Sequence, residues 1–155
     1  MKKISILLAL AFISSLAFGQ KVNFSGTWNI NRGESELNDQ FSMAPNSLVI
    51  DQSKKELTIQ RNSSWQGQDY SYTDKFTLDG NVCENVGFMD MVKKSTADWN
   101  DDKKSLKITS TIGMQDGSDM TITENFSMDG DHLVLNTTAT SSFGEMSEVF
   151  VFDKQ

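Results

Sequence analysis

From Phe24 to the C-terminus, apolar and polar residues alternate with a period of two in short runs separated by turn-forming clusters. That period sends successive side chains to opposite faces of an extended chain, so each run predicts a half-buried β-strand. The first is Phe24 to Ile30, with Phe24, Gly26, Trp28 and Ile30 on one face. Residues 31–46 break the pattern. They are polar, hold Gly33 and Pro45, and predict at most a short helix at Glu34 to Asn38. The segment is too long for a hairpin turn and reads as a lid or Ω-type loop. From Ser47 onward, turn clusters recur at 52–55, 66–67, 79–80, 101–104, 116–118, 130–131 and 142–143. Such spacing is the mark of an all-β sandwich or barrel.

The turns also predict registers, which are strongly constrained because a one-residue slip turns a strand inside out. A turn at Gln66-Gly67 sets Leu57 against Phe76, and one at 101–104 sets Trp99 against Leu106. Centring a turn on Asp116-Gly117-Ser118 sets Met114 against Met120, Ile112 against Ile122 and Ile108 against Phe126. Gly130-Asp131 sets Met128 against Leu133 and Phe126 against Leu135, and the last turn sets Leu135 against Phe150 and Leu133 against Phe152. Apolar meets apolar each time. The expected fold is a single up-and-down antiparallel β-barrel of about eight to ten strands, which closes the edges an open sheet would leave exposed. A sandwich is the rival, but short sequential turns favour neighbour-to-neighbour pairing.

Composition adds a compartment. Lys2 and Lys3 precede an apolar run from Ile4 to Phe18, with Ala17 and Gly19 placed as the small residues of a cleavage site. This reads as a secretory signal over residues 1–19, leaving a domain of residues 20–155 in a secreted or periplasmic setting. The apolar run falls short of the ~20 residues of a membrane span. The formal charge is −7, and it becomes −9 once the two leader lysines are removed. An acidic chain without a basic cluster argues against nucleic acid and anionic membranes as partners. The single cysteine, Cys83, has no internal disulfide partner, and facing Phe76 it reads as an inert buried thiol.

Gly26-Thr27-Trp28 on the first strand, followed by a long loop and a meander, resembles the lipocalin and wider calycin superfamily, most of all its small secreted bacterial lipocalin-like members. The resemblance implies an eight- to ten-stranded barrel that binds small molecules, with Gly26 and Trp28 as its structural motif and Trp28 at the closed end. It also implies an arginine near the last strand to cap the tryptophan. Only Arg32 and Arg61 occur, neither in that strand, which leaves Lys154 as the substitute.

The registers set polar groups on the inner face. Ser95 faces Ser110, Ser110 faces Glu124, Glu124 faces Thr137 and Thr137 faces Glu148, a row across five strands. Elsewhere Arg61 faces Tyr72, with Asp74 diagonal to Arg61 and opposite Asn85. Strands ~4.8 Å apart put Glu124 and Glu148 about 9–10 Å apart. Buried charge is costly unless paired or hydrated. One reading is therefore the polar belt of a ligand cavity, formed by Arg61, Tyr72, Asp74, Ser110, Glu124, Thr137 and Glu148, with Trp65 at the mouth. The other is a water-filled interior. Three acids against Arg61 and Lys93 suit a neutral or cationic amphiphile better than a fatty-acid carboxylate. The methionines, Met89 and Met91 among them, offer a pliable lining or ordinary core.

No catalytic residue, metal site or cofactor motif is expected: His132 is the only histidine, and no nucleophile elbow is present. The Asp-rich turns read as turn chemistry. Three functions follow: a secreted binding protein for a small apolar or amphipathic molecule, an envelope interaction or inhibitor module acting through its loops, or an enzyme using Glu124 and Glu148 as an acid–base pair near the ~6.5–9.5 Å span of inverting glycosidases. The sequence leaves the oligomeric state open.

Overall fold

The computed structural model describes residues 20–87 and 90–155, so the expected signal segment and Met89 lie outside the described residues. Ten strands follow one another: β1 (Gly26–Ile30), β2 (Ser47–Gln52), β3 (Glu56–Trp65), β4 (Gln68–Thr77), β5 (Cys83–Val86), β6 (Val92–Trp99), β7 (Leu106–Gly113), β8 (Asp119–Asp129), β9 (His132–Ser141) and β10 (Gly144–Lys154). Each pairs antiparallel with its sequence neighbour, except that β1 pairs with β10 and no ladder joins β4 to β5. The result is an up-and-down barrel, closed but for one seam.

The turns sit where the polar clusters predicted them. At the β3–β4 turn both Gln66 and Gly67 have positive φ, the handedness that two-residue hairpins need to match strand twist. Four hairpin registers match expectation, with Leu57 opposite Phe76, Trp99 opposite Leu106, Phe126 opposite Leu135 and Leu133 opposite Phe152. The β7–β8 hairpin does not. Ile112 lies opposite Met120, Ile108 opposite Glu124 and Ser110 opposite Ile122, two residues from the expected pairing. The turn is a three-residue loop, Gln115-Asp116-Gly117, closed by the Met114 N–H donating to the Ser118 carbonyl, with Gly117 at φ +82° in its last position. Asp116 accepts from the Ser118 N–H and hydroxyl, which hold its carboxyl below the usual range and move the apex one residue back. A slip of two keeps every side chain on its face, so the inner face survives while the polar row is broken between Ser110 and Glu124.

Asn85 performs the work of a ladder at the β4–β5 seam. Its Oδ1 accepts from the Lys75 N–H at 2.7 Å and its Nδ2 donates to the Lys75 carbonyl at 3.0 Å. Its amide therefore binds the backbone beside Asp74, instead of facing Asp74 in a strand pair. Cys83 is half-buried there, its sulfur accepting from the Thr77 N–H at 3.3 Å, so the buried thiol expected against Phe76 is a seam contact. The backbone groups of Lys75 and the Thr77 N–H on the β4 edge thus find partners across the seam.

The lower end, where the chain enters and leaves, is solid core. Leu48, Leu57, Ile59, Leu106, Ile108, Phe126, Leu133, Leu135 and Phe152 are fully buried. Each such side chain contributes ~1.5–3 kcal/mol of hydrophobic stabilisation. Phe24 plugs this end, stacked on Trp99 at 5.9 Å and tilted against Phe126 at 6.1 Å. Trp28 donates its Nε1 hydrogen to the Phe24 carbonyl, and the Lys154 ammonium sits 5.4 Å above its ring in the capping position. At the other end, residues 31–46 cross the mouth. The expected helix at Glu34 to Asn38 is absent: Glu36 exchanges two backbone hydrogen bonds with Val149, extending the β10 ladder past the end of β1 and holding the chain extended.

Candidate ligand-binding site

Above the apolar floor lies a layer of buried polar side chains from six of the expected positions. Alternation on long strands puts them there: the inner position two residues above the apolar floor is polar on each of these strands. Arg61, Asp74, Ser110, Glu124, Thr137 and Glu148 are all buried, with Lys93, Ser95 and Asn85 beside them. Tyr72 is half-buried and lies opposite Arg61 as predicted.

Charge in this layer is arranged as a chain of ion pairs. Arg61 donates through Nε to Asp74 Oδ2 at 3.2 Å and through a terminal nitrogen to Glu124 Oε2 at 2.8 Å. Since β3 and β8 are not neighbours, this second bond spans the lumen. The Lys93 ammonium reaches the same Asp74 oxygen at 2.8 Å and lies 5.2 Å over the Tyr72 ring. Burial alone would lower the pKa of Arg61, but the negative charge of Glu124 and the neighbouring Tyr72 and Asp74 raise it above its ordinary value, so the guanidinium stays charged. Burial pushes the Tyr72 phenol up, with Glu124 and Asp74 adding to the shift and Arg61 opposing it. Ser95 and Ser110 share a 2.7 Å hydroxyl contact. Two oxygens in the layer, Asp74 Oδ1 and Thr137 Oγ1, have no hydrogen-bond partner among the described residues.

Glu148 has a different duty. Its Oε1 accepts from the Asn38 N–H at 2.9 Å and its Oε2 from the Met43 N–H at 3.1 Å, tying the mouth loop to β10. Glu124 and Glu148 do flank Thr137 in register. Both carboxylates are engaged, one with Arg61 and the other with the loop, which leaves no free acid–base pair. Trp65 stands at the mouth, 49% exposed, with the Phe41 ring of the loop edge-on at 5.8 Å. Sequence reasoning missed Phe41 as a site member and counted Lys93 only in the charge balance of the inner face. Lys93 was signalled by its inner-face parity with Ser95, whereas Phe41 lies in a loop without periodicity. Between the ion pairs and the loop, Tyr72, Met120, Ile122 and Met146 line the wall and remain partly exposed.

Among the described residues no cluster of His, Cys, Asp and Glu is arranged to hold a metal. His132 instead contacts Asp153 Oδ1 through Nδ1 at 2.7 Å. No helix among the described residues is long and apolar enough to cross a membrane.

No family model matches the sequence, and no curated protein matches it. Solved structures do resemble the fold. Zebrafish ileal bile acid-binding protein, complexed with cholic acid, aligns over 85% of this chain and 98% of its own at 17% identity and a TM-score of 0.59. Fatty-acid-binding protein 1 of Echinococcus granulosus aligns over 84% and 96% at 16% identity and a TM-score of 0.53. Strand number, strand order and these neighbours together give the chain a calycin-like fold, a ten-stranded, nearly closed up-and-down barrel.

Proposed function

We propose that this is an exported binding protein that takes a small amphipathic molecule into the upper half of its barrel, between the ion-pair layer and the mouth loop. The observation that carries this reading is the layering of the interior: packed floor, buried polar girdle with two unpartnered oxygens, then a partly exposed wall of methionine, isoleucine and tyrosine. Apolar walls with a few placed polar groups are the ordinary make-up of small-molecule sites, and methionine gives such a wall its adaptability. The two structural neighbours are named for binding bile acids and fatty acids, which supports the class of ligand and not its head group. The apolar lower half is core, so the ligand is short or leaves its tail at the mouth beside Phe41 and Trp65. Export belongs to this proposal, with cleavage after Gly19; mass spectrometry of the exported chain would then find Gln20 at its N-terminus.

The experiment is native mass spectrometry of the exported protein followed by solvent extraction. A stoichiometric small molecule supports the proposal. Its absence, together with no binding across a panel of neutral, anionic and cationic amphiphiles, defeats it. A second reading then gains ground, that of an interaction module acting through its loops. It has its own motivating observation in Phe143, 85% exposed at the β9–β10 turn on the same end as Trp65 and Phe41.

A further inference from the structure

We infer that the group recognised at the bottom of this site is an uncharged hydrogen-bond donor, a hydroxyl on an otherwise apolar body, and not a carboxylate or an ammonium. The inference rests on the binding function proposed above and specifies its head-group chemistry.

The first observation is that the cations of the layer are spoken for. Arg61 bonds both Asp74 and Glu124, and Lys93 bonds Asp74. These four groups sum to zero, and Glu148 adds a carboxylate whose oxygens are both occupied by the loop. N–H groups left over on Arg61 and Lys93 could meet an incoming carboxylate, but it would be a fourth acid against two cations and would leave buried negative charge uncompensated. An incoming ammonium fares little better. Asp74 Oδ2 already serves two cations, and a third would sit against both.

The second observation is the pair of unpartnered oxygens. Asp74 is wholly buried, and its Oδ1 has no donor among the described residues. An ionised carboxylate oxygen only accepts, so what satisfies it must donate. Thr137 is 4% exposed and its Oγ1 is equally without a partner; a hydroxyl can give or receive there. Leaving such groups unmet costs ~1–3 kcal/mol each. The two flank the same network, Thr137 beside Glu124 and Asp74 beyond Arg61. The third unpartnered atom, Trp99 Nε1, belongs to the closed end and takes no part.

The test is calorimetric titration of the full mature chain with four probes of one chain length: dodecanol, dodecanoate, methyl dodecanoate and dodecylamine. Dodecanol is expected to bind roughly 10-fold or more tightly than each of the others, the factor that one satisfied buried polar group provides. Thr137→Val removes an unpartnered hydroxyl at constant shape, so it folds with an unchanged or raised thermal midpoint; it should bring dodecanol down toward the methyl ester, and Thr137→Ser should restore the preference. Dodecanoate, the amine or the ester binding as well as dodecanol overturns the donor assignment while leaving the binding function standing. An unaltered dodecanol preference in Thr137→Val also overturns it. No binding of any probe removes the binding function and this inference together.

Discussion

Replacing Glu148 by Gln separates the mouth loop's anchorage from the barrel's stability. The carboxylate accepts two backbone hydrogens, from Asn38 at 2.9 Å and Met43 at 3.1 Å. Hydrogen bonds to a charged acceptor are worth ~1.5–3 kcal/mol each. A glutamine amide keeps one acceptor oxygen, turns the other site into a donor facing an N–H, and loses the charge. The expected loss is therefore ~1–3 kcal/mol, or about 5- to 150-fold in the local opening equilibrium. The change should stay local because the loop has independent ties on either side: the Glu36–Val149 backbone pair before it, and the Asn46 N–H bonded to the Asn62 carbonyl at 2.7 Å after it. Amide hydrogen exchange is the assay. Asn38 and Met43 should exchange faster by that factor in Glu148→Gln, while Leu135 and Phe150 in the core keep their rates. Glu145→Gln, an exposed change on the same strand, is the control and should alter nothing at the loop. Equal exchange at Asn38 and Met43 in the two variants would refute the latch. Uniform acceleration across the core would show instead that Glu148 supports the whole barrel.

Arg61→Met should destabilise the fold by ~3–5 kcal/mol, because it strands Glu124 and leaves Asp74 with Lys93 alone; a urea midpoint equal to that of the parent would contradict this, and adding Glu124→Gln should recover part of the loss. Tyr72 has a raised pKa in the folded state, so the stability it lends is complete below the unfolded value near ~10 and is lost as pH climbs through the higher folded one. Thermal midpoints should thus fall less steeply above that pH in Tyr72→Phe than in the parent, with no difference in pH dependence at neutrality. Asn85→Leu strips the Lys75 N–H and carbonyl of their partners at the seam, so exchange at the Lys75 amide should rise by roughly 10-fold, reflecting the ~1–3 kcal/mol of an unmet buried group; an unchanged rate would mean that the seam is held by other contacts.

The reasons the fold was legible are local. Turn residues are punctuation that no distant contact overrides, and the two-residue period carried through every strand, so the inner face of Leu57, Phe76, Phe126, Leu135 and Phe152 followed directly. The β7–β8 register failed because the loop is Gln115-Asp116-Gly117, one residue before the Asp116-Gly117-Ser118 on which the turn was centred, and only the Met114–Ser118 hydrogen bond fixes its place. Side-chain identities in the girdle were equally legible, since burial follows parity. Their partners were not. The reach of Arg61 across to Glu124 depends on barrel diameter and on which strands face each other, neither of which periodicity reports. Glu148 reads as part of a belt in the sequence, while its bonds go to a loop whose path has no repeating pattern to predict.

The seam gives the ion pairs a second meaning. It divides the chain into two meanders, β1–β4 and β5–β10, each zipped by its own hairpins. They join through the short β1–β10 ladder and the Asn85 clasp. Arg61 and Asp74 belong to the first meander, Lys93 and Glu124 to the second, so two of the three buried salt bridges run from one meander to the other. Each meander carries one cation and one anion of the ion-pair layer, and each of these charges has a partner on the other meander. Loop-closure entropy makes the β1–β10 contact, the most distant in sequence, the costliest of these joins to form. A chain cut within 79–82 would yield two fragments that carry the means to recognise each other.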